Sequence, residues 1–209
     1  IGGSSFVGRA ITNAAVAAQH DVTVLNRGLT PSDIPGTVNR LVGDRRGDLS
    51  ALASLSFDAT IDCIAYQRRD VEALAEALGT RGGHHIQISS ISAYQDPDHA
   101  GADETTSLLE LGDLDPNAEV GPRSYGILKA ECERVARASF TSVGIIRPTF
   151  VVGSHDKTMR FPYWVARIKK GGIVAFPGSG KNPLQWIDAR DLGEFTVAQA
   201  AADRKSTRL

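Results

Sequence analysis

The feature that most constrains this chain is an alternation. Short apolar runs recur along most of its length, and segments with helical spacing lie between them. The runs are Asp21–Asn26 (DVTVLN), Val38–Gly43 (VNRLVG), Ala59–Ala65 (ATIDCIA), His85–Ser90 (HIQISS) and Val143–Pro148 (VGIIRP). Their length and their Val and Ile content read as strands. Phe6–Gln19 is rich in Ala and apolar residues. Val71, Leu74, Ala75 and Leu78 share one face of a helix that Gly79 would stop. Ser124–Ala138 carries Ile127, Leu128 and Val135 on its apolar side. Strands alternating with helices imply parallel βαβ units. The expected fold class is α/β, a Rossmann-like doubly wound parallel sheet with strand order 3-2-1-4-5-6.

The first strand of that order belongs at the centre, yet only Ile1 precedes the turn formed by Gly2, Gly3 and Gly8. The first strand is therefore expected to be truncated. An isolated chain cut there would expose ladder partners and is expected to be unstable or to aggregate. At the other end, Asp203–Leu209 (DRKSTRL) back-translates to the start of a widely used synthetic sequencing adapter. These residues are expected to be a non-native tail. The expected organisation is a dinucleotide-binding domain over 1–150, then the start of an incomplete substrate region over 151–202, interleaved with it. The polar stretch Asp96–Pro122 reads as a long surface loop of the kind that is often functional or mobile.

With 209 residues, 42% of them hydrophobic, the chain can bury a sizeable core. A net charge of -1 offers no basic surplus for nucleic acid or an anionic membrane. No apolar run approaches the roughly 18 residues of a membrane span. Cys63 and Cys132 lack metal-ligand spacing, so no metal is expected, and both read as reduced thiols of a cytoplasmic protein. His84 and His85 precede a strand without metal partners and read as structural.

The glycine turn runs into a helix, whose free N–H groups and positive dipole end suit a diphosphate. The next strand ends at Asn26–Arg27, about 20 residues on, where such folds meet the adenosine ribose. An acid there would bind the 2′-hydroxyl of NAD. An amide followed by a guanidinium suits a 2′-phosphate, so NADP is favoured over NAD. Farther along, Tyr125 and Lys129 stand four apart and share a helix face. A cation beside a phenol stabilises the phenolate, which suits an acid/base. Ser89, Ser90 and Ser92 lie at the end of a strand, where ligands bind in such sheets.

The segments GGSSFVG, GDRRGDL, SSISAY, YGILK, IIRPTFVVG and PLQWIDARDL occur in order at suitable spacing. Together they resemble the extended short-chain dehydrogenase/reductase superfamily, the NAD-dependent epimerase/dehydratase group. Within it the chain looks most like bacterial proteins labelled epimerases or 2′-hydroxyisoflavone-reductase-like. Chloroplast stem-loop-binding proteins share similar stretches. The resemblance implies Tyr125 as acid/base, Lys129 as its partner and a holder of the nicotinamide ribose, and Ser90 as the group orienting the substrate oxygen. Ser92 is the rival for that last role. It also implies cofactor contacts from Gly2, Ser4, Ser5, Phe6, Val7, Gly8, Asn26, Arg27, Asp44, Arg45, Ala65 and Pro148. Asp44 and Arg45 would lie along the adenine. Two departures stand out. Ser5 replaces the middle glycine of Gly-x-x-Gly-x-x-Gly, which would hold the backbone farther from the diphosphate unless its hydroxyl compensates. CIAY replaces the usual His-x-Ala-Ala.

In the substrate region His155, Asp156, Arg160, Tyr163 and Trp164 could clamp a ring or sugar, or simply pack. FPGSGKN lacks P-loop spacing and reads as a plain loop, and Asp188 and Asp191 read as helix caps. The expected function is hydride transfer at a hydroxyl or carbonyl carbon of a small molecule, as a reductase or an epimerase. SSISAY lacks the Asp-Glu pair of dehydratases. A homodimer is left open. The competing reading is an RNA-binding or regulatory protein on the same scaffold.

Overall fold

The computed structural model describes residues 1–29, 33–97, 101–176 and 178–202. Every pairing between its strands is parallel. β1 (Thr23–Asn26) pairs with β2 (Asn39–Val42). β3 (Ala59–Asp62), β4 (His84–Ile88) and β5 (Val143–Ile146) form a second set, with β4 in the middle. Between these sets stand the first two residues. Gly2 N donates to Leu25 O (3.2 Å), the Ile1 amine donates to Ile61 O (2.6 Å), and Cys63 N donates to Ile1 O (3.1 Å). The resulting order is β2-β1-Ile1-β3-β4-β5, the expected 3-2-1-4-5-6 with Ile1 in the place of strand one. Beside Ile1, a cavity of about 990 Å³ opens between β1 and β3, lined among others by Ile11, Val24, Ile61 and Leu78.

Helices cover both faces. α1 (Phe6–Ala17) and α5 (Ala189–Ala201) share a core with Ile86, Ile88 and Ile146, to which Ile11, Leu192 and Val197 contribute. A Cβ at Gly193 would come within 2.8 Å of the Ala10 carbonyl, so glycine there lets the two helix backbones touch. α2 (Arg68–Leu78) and α3 (Tyr125–Ser139) close the other face with Val71, Leu74, Leu78, Cys132, Ala136 and Phe140. His85 belongs to β4 and stacks on Phe140 at 3.9 Å. Its structural reading therefore stands on geometry.

Two features differ from the pattern-based reading. β6 (Phe150–Val152) and β7 (Trp186–Asp188) form a further parallel pair, and α4 (Arg160–Lys169) lies between them in the chain. Strands of three residues are too short to show a period of two. The polar loop is tied down rather than loose. Gln95 N donates to Ser107 O (2.9 Å), Leu109 N donates to Ala93 O (2.9 Å), and Gln67 Nε2 donates to Asn117 O (2.9 Å) and Ala118 O (2.6 Å). The tail at 203–209, residues 98–100 of the loop and Pro177 of FPGSGKN lie outside the described residues. Cys63 and Cys132 are free thiols; burial raises them to about 11 and about 12.

Candidate active site

The glycine turn is shaped by close contacts. Gly2 has φ 76°, and a Cβ at Gly8 would stand 2.2 Å from the Gly2 carbonyl oxygen. Thr12 Oγ1 donates to Gly3 O (2.8 Å), which locks the turn onto α1. Ser5 is the N-cap of α1 at φ -135°, an extended conformation that needs no glycine. Serine is accommodated there without strain, and the positive φ falls on Phe6 (35°). Ser5 is exposed and its side chain makes no capping bond. Ser4, Phe6 and Val7 are half-buried around it.

At the C-terminal ends of β3 and β4 sits Lys129, almost wholly buried. Its Nζ donates to Ala65 O (2.9 Å) and to Ile88 O (2.6 Å). One cation thus joins the ends of two adjacent strands, with carbonyl oxygens in place of water. Burial lowers its pKa, against the opposing pull of Cys132, Asp62 and other neighbours. The aromatic face it meets is that of Tyr66, whose centroid is 5.1 Å from Nζ. The Tyr66 ring in turn lies 6.3 Å from that of Tyr125. The Tyr66 ring therefore lies beside both Lys129 and Tyr125, a second phenol that the sequence reading passed over.

Tyr125 opens α3. The next residue is Gly126, where a Cβ would meet Ser92 O at 2.1 Å. The glycine lets the start of α3 press against the short 3-10 turn Ile91–Ala93 that follows β4. Ser90 caps that turn: its Oγ accepts from Ser92 N (3.1 Å), so its hydroxyl hydrogen remains available to donate. Ile91 N donates to Pro148 O (3.1 Å), which brings the segment after β5 to the same place. Beneath lies a buried polar network. Ser89 Oγ donates to Glu133 Oε1, Arg147 Nη2 donates to Glu133 Oε2 (2.7 Å), and Arg147 Nη1 donates to Tyr94 Oη (3.0 Å). The Glu133 hydrogen bonds raise the Arg147 pKa against its burial.

Arg45 differs from its expected place along an adenine. Its guanidinium is buried and bidentate on Asp62 (2.9 and 2.7 Å), and it donates also to Asp70 O (2.5 Å). Burial pushes the Asp62 carboxyl up, and the Arg45 charge and hydrogen bonds outweigh this, leaving it well below the usual range. A planar fork next to a carboxylate at the end of β3 explains the capture. Asp44 stays exposed in the same loop, accepting from Arg46 N (3.0 Å). Asn26 Oδ1 accepts from Gly28 N (2.9 Å), leaving its amide donors free of the turn, and Arg27 is exposed.

The substrate-side residues are mixed in placement. Arg160 lies over Phe150 (4.6 Å) rather than over Tyr163 or Trp164. Tyr163 meets Trp164 edge-on at 5.3 Å, and Trp164 tilts against Phe176 at 5.8 Å. His155 is exposed at φ 70°, while Asp156 is buried and accepts from Thr158 N and Oγ1. Asp188 caps α5 by accepting from Arg190 N (2.8 Å). Among the described residues there is no cluster of three or more His, Cys, Asp and Glu placed to hold a metal, and no helix long and apolar enough to cross a membrane.

A glycine turn on a parallel sheet, with a strand-end serine and a Tyr-x-x-x-Lys helix beside it, defines a protein of the short-chain dehydrogenase/reductase class. More narrowly, the chain belongs to the NAD dependent epimerase/dehydratase family, whose profile matches residues 1–208. Its structure resembles UDP-N-acetylglucosamine 4-epimerase from Methanobrevibacter ruminantium, with TM-score 0.75 and 16% identity, over 97% of this chain and 72% of that one. It also resembles UDP-glucuronic acid 4-epimerase from Bacillus cereus, solved with NAD, with TM-score 0.72 and 15% identity, over 95% and 71%. The chloroplast stem-loop binding protein of 41 kDa b from Arabidopsis thaliana is 25% identical over 92% of this chain. The chain spans about half of that protein, 52% of its length.

Proposed function

We propose that this chain carries the core of an NAD(P)-dependent oxidoreductase or epimerase, acting at a hydroxyl or carbonyl carbon of a small, sugar-like molecule. What supports this is that Tyr125 begins α3 against the turn that Ser90 caps, while Lys129 Nζ bonds at the ends of β3 and β4. The glycine turn beside them fits a dinucleotide, because a side chain at Gly8 would strike the Gly2 carbonyl of the tight turn and Ser5 is exposed at the start of α1. Gly2, Ser4, Ser5, Phe6, Val7 and Gly8 would hold the diphosphate. Asn26, Arg27, Asp44 and the backbone around Arg45 would meet the adenosine end, and Ala65, Lys129 and Pro148 the nicotinamide end. When bound, the nicotinamide supplies hydride chemistry. Tyr125 gives or takes the proton at the substrate oxygen. Ser90 donates its hydroxyl hydrogen to that same oxygen. Lys129 places a desolvated positive charge beneath the site, where it stabilises developing negative charge.

The related epimerase solved with NAD supports a dinucleotide in general. The preference for NADP rests on Arg27 and on the lack of an acid at Asn26. The test is a fluorescence titration of the full-length protein with NADPH and NADH, followed by turnover of a UDP-sugar panel in wild type and Tyr125→Phe. Tighter NADPH binding that weakens in Arg27→Ala supports the phosphate reading; tighter NADH binding overturns it. Turnover that survives Tyr125→Phe undiminished overturns the acid/base role.

A second reading is favoured by one observation, the likeness to a stem-loop binding protein. Stem-loop RNA binding that falls steeply with salt, without turnover, would establish it.

A further inference from the structure

We propose that Tyr66 is a positioning residue of the Tyr125–Lys129 pair, its ring closing one side of the buried ammonium and bracing the Tyr125 ring. This rests on the functional reading above. Lys129 commits two of its three N–H donors to Ala65 O and Ile88 O. The Tyr66 ring stands 5.1 Å away and 6.3 Å from Tyr125, tilted by 43°. An ammonium is attracted to an aromatic face, most strongly where water is excluded. The ring thus limits both hydration and swing of the ammonium, and it fills the space on one side of Tyr125.

The placement of Tyr66 is itself rigid. It follows Ala65, which is fully buried and gives its carbonyl to Lys129. Its own N–H donates to Asp70 Oδ2 (3.0 Å), and Gln67 N donates to the same oxygen (3.1 Å). Asp70 also receives Arg46 Nε (3.0 Å). The start of α2 and the loop after β2 therefore hold the backbone that carries this ring. Burial raises the Tyr66 pKa, with Tyr125 the next cause, so its phenol stays neutral. A neutral ring that touches both partners acts through them, by holding their geometry.

The experiment uses the full-length protein with ¹³Cε-labelled lysine, together with steady-state kinetics on the UDP-sugar panel. In wild type the Lys129 ε-methylene protons are expected to be shifted upfield by the ring current, and to return to the ordinary lysine position in Tyr66→Leu. Tyr66→Leu is expected to lower kcat about tenfold with KM within about twofold, as befits loss of a desolvated cation–π contact. Tyr66→Phe, which keeps the ring face, is expected to restore both the shift and kcat to within about threefold. Tyr66→Met replaces the Leu variant if the latter fails to fold. An unshifted Lys129 resonance in wild type overturns the proposal. So does full turnover in Tyr66→Leu, or a Tyr66→Phe variant as slow as Tyr66→Leu. A wild type that turns over nothing overturns the functional reading, and this role falls with it. Wild-type turnover undiminished in Tyr66→Leu overturns this role alone.

Discussion

The two ends of the crevice along this sheet are built by opposite means. At the β3–β5 end, Asp62, Lys129 and Glu133 are charged, buried and partnered by groups on other elements. At the β1–β2 end, Arg27 and Asp44 are exposed, and the side-chain oxygens of Asn26 and Asp44 accept only from backbone N–H groups two residues along the chain. Buried charges need exact partners, since an unpaired one costs several kcal/mol. Exposed groups carry no such requirement and can change without unfolding the protein. The proposed acid/base end is therefore bound up with stability, whereas the proposed adenosine end is free to vary without unfolding the chain.

This contrast can be broken by experiment. The largest effect belongs to Tyr125→Phe, which is expected to lower kcat about 10²–10⁴-fold while dinucleotide affinity, read by fluorescence, stays near wild type. Next, Asp62→Ala would leave the Arg45 guanidinium buried without its carboxylate. Denaturant titration is expected to show a loss of about 3–5 kcal/mol. If the loss were below about 1 kcal/mol, the inner end would be no more constrained than a surface pair.

Gly126→Ala should follow, at about 1–3 kcal/mol, because the new methyl meets the Ser92 backbone rather than a movable side chain. A fall in kcat beyond the stability loss would show that Tyr125 has been displaced from Ser90. His85 sets a pH dependence. Burial lowers its imidazole from 6.5 to about 4. The unfolded chain then binds a proton that the folded one refuses, so stability falls as pH drops through this window. Between pH 7 and pH 5 the loss is expected to be about 2 kcal/mol, and His85→Leu should flatten it. The smallest effect is Arg27→Ala, expected to weaken NADPH about tenfold and to leave NADH affinity and melting temperature unchanged. A change in melting temperature would mean that the outer end too is structural.

Much of this was legible in the chain itself. The alternation of runs placed all five strands of the main sheet within a residue or two at their starts, with four of the five runs slightly long at their ends. Tyr125 and Lys129 were readable because a spacing of four is a property of any helix. The role of Gly126 could have been suspected from its place directly after Tyr125, but the reason for it is a carbonyl from a different segment. Arg45 and Tyr66 were misplaced or passed over for a common reason. Each is defined by a partner distant in sequence: Asp62 for the first, Lys129 and Tyr125 for the second.

The sequence by itself determined the parallel α/β architecture, the glycine turn and the Ser-Tyr-Lys candidates, because local periodicity and backbone stereochemistry act over a few residues. Only the tertiary structure decided that Lys129 joins two strand ends, that Arg45 is spent on Asp62, and that Tyr66 lies beside both the lysine and Tyr125. Those outcomes depend on desolvation and on contacts between separate segments, and neither exists until the chain has folded.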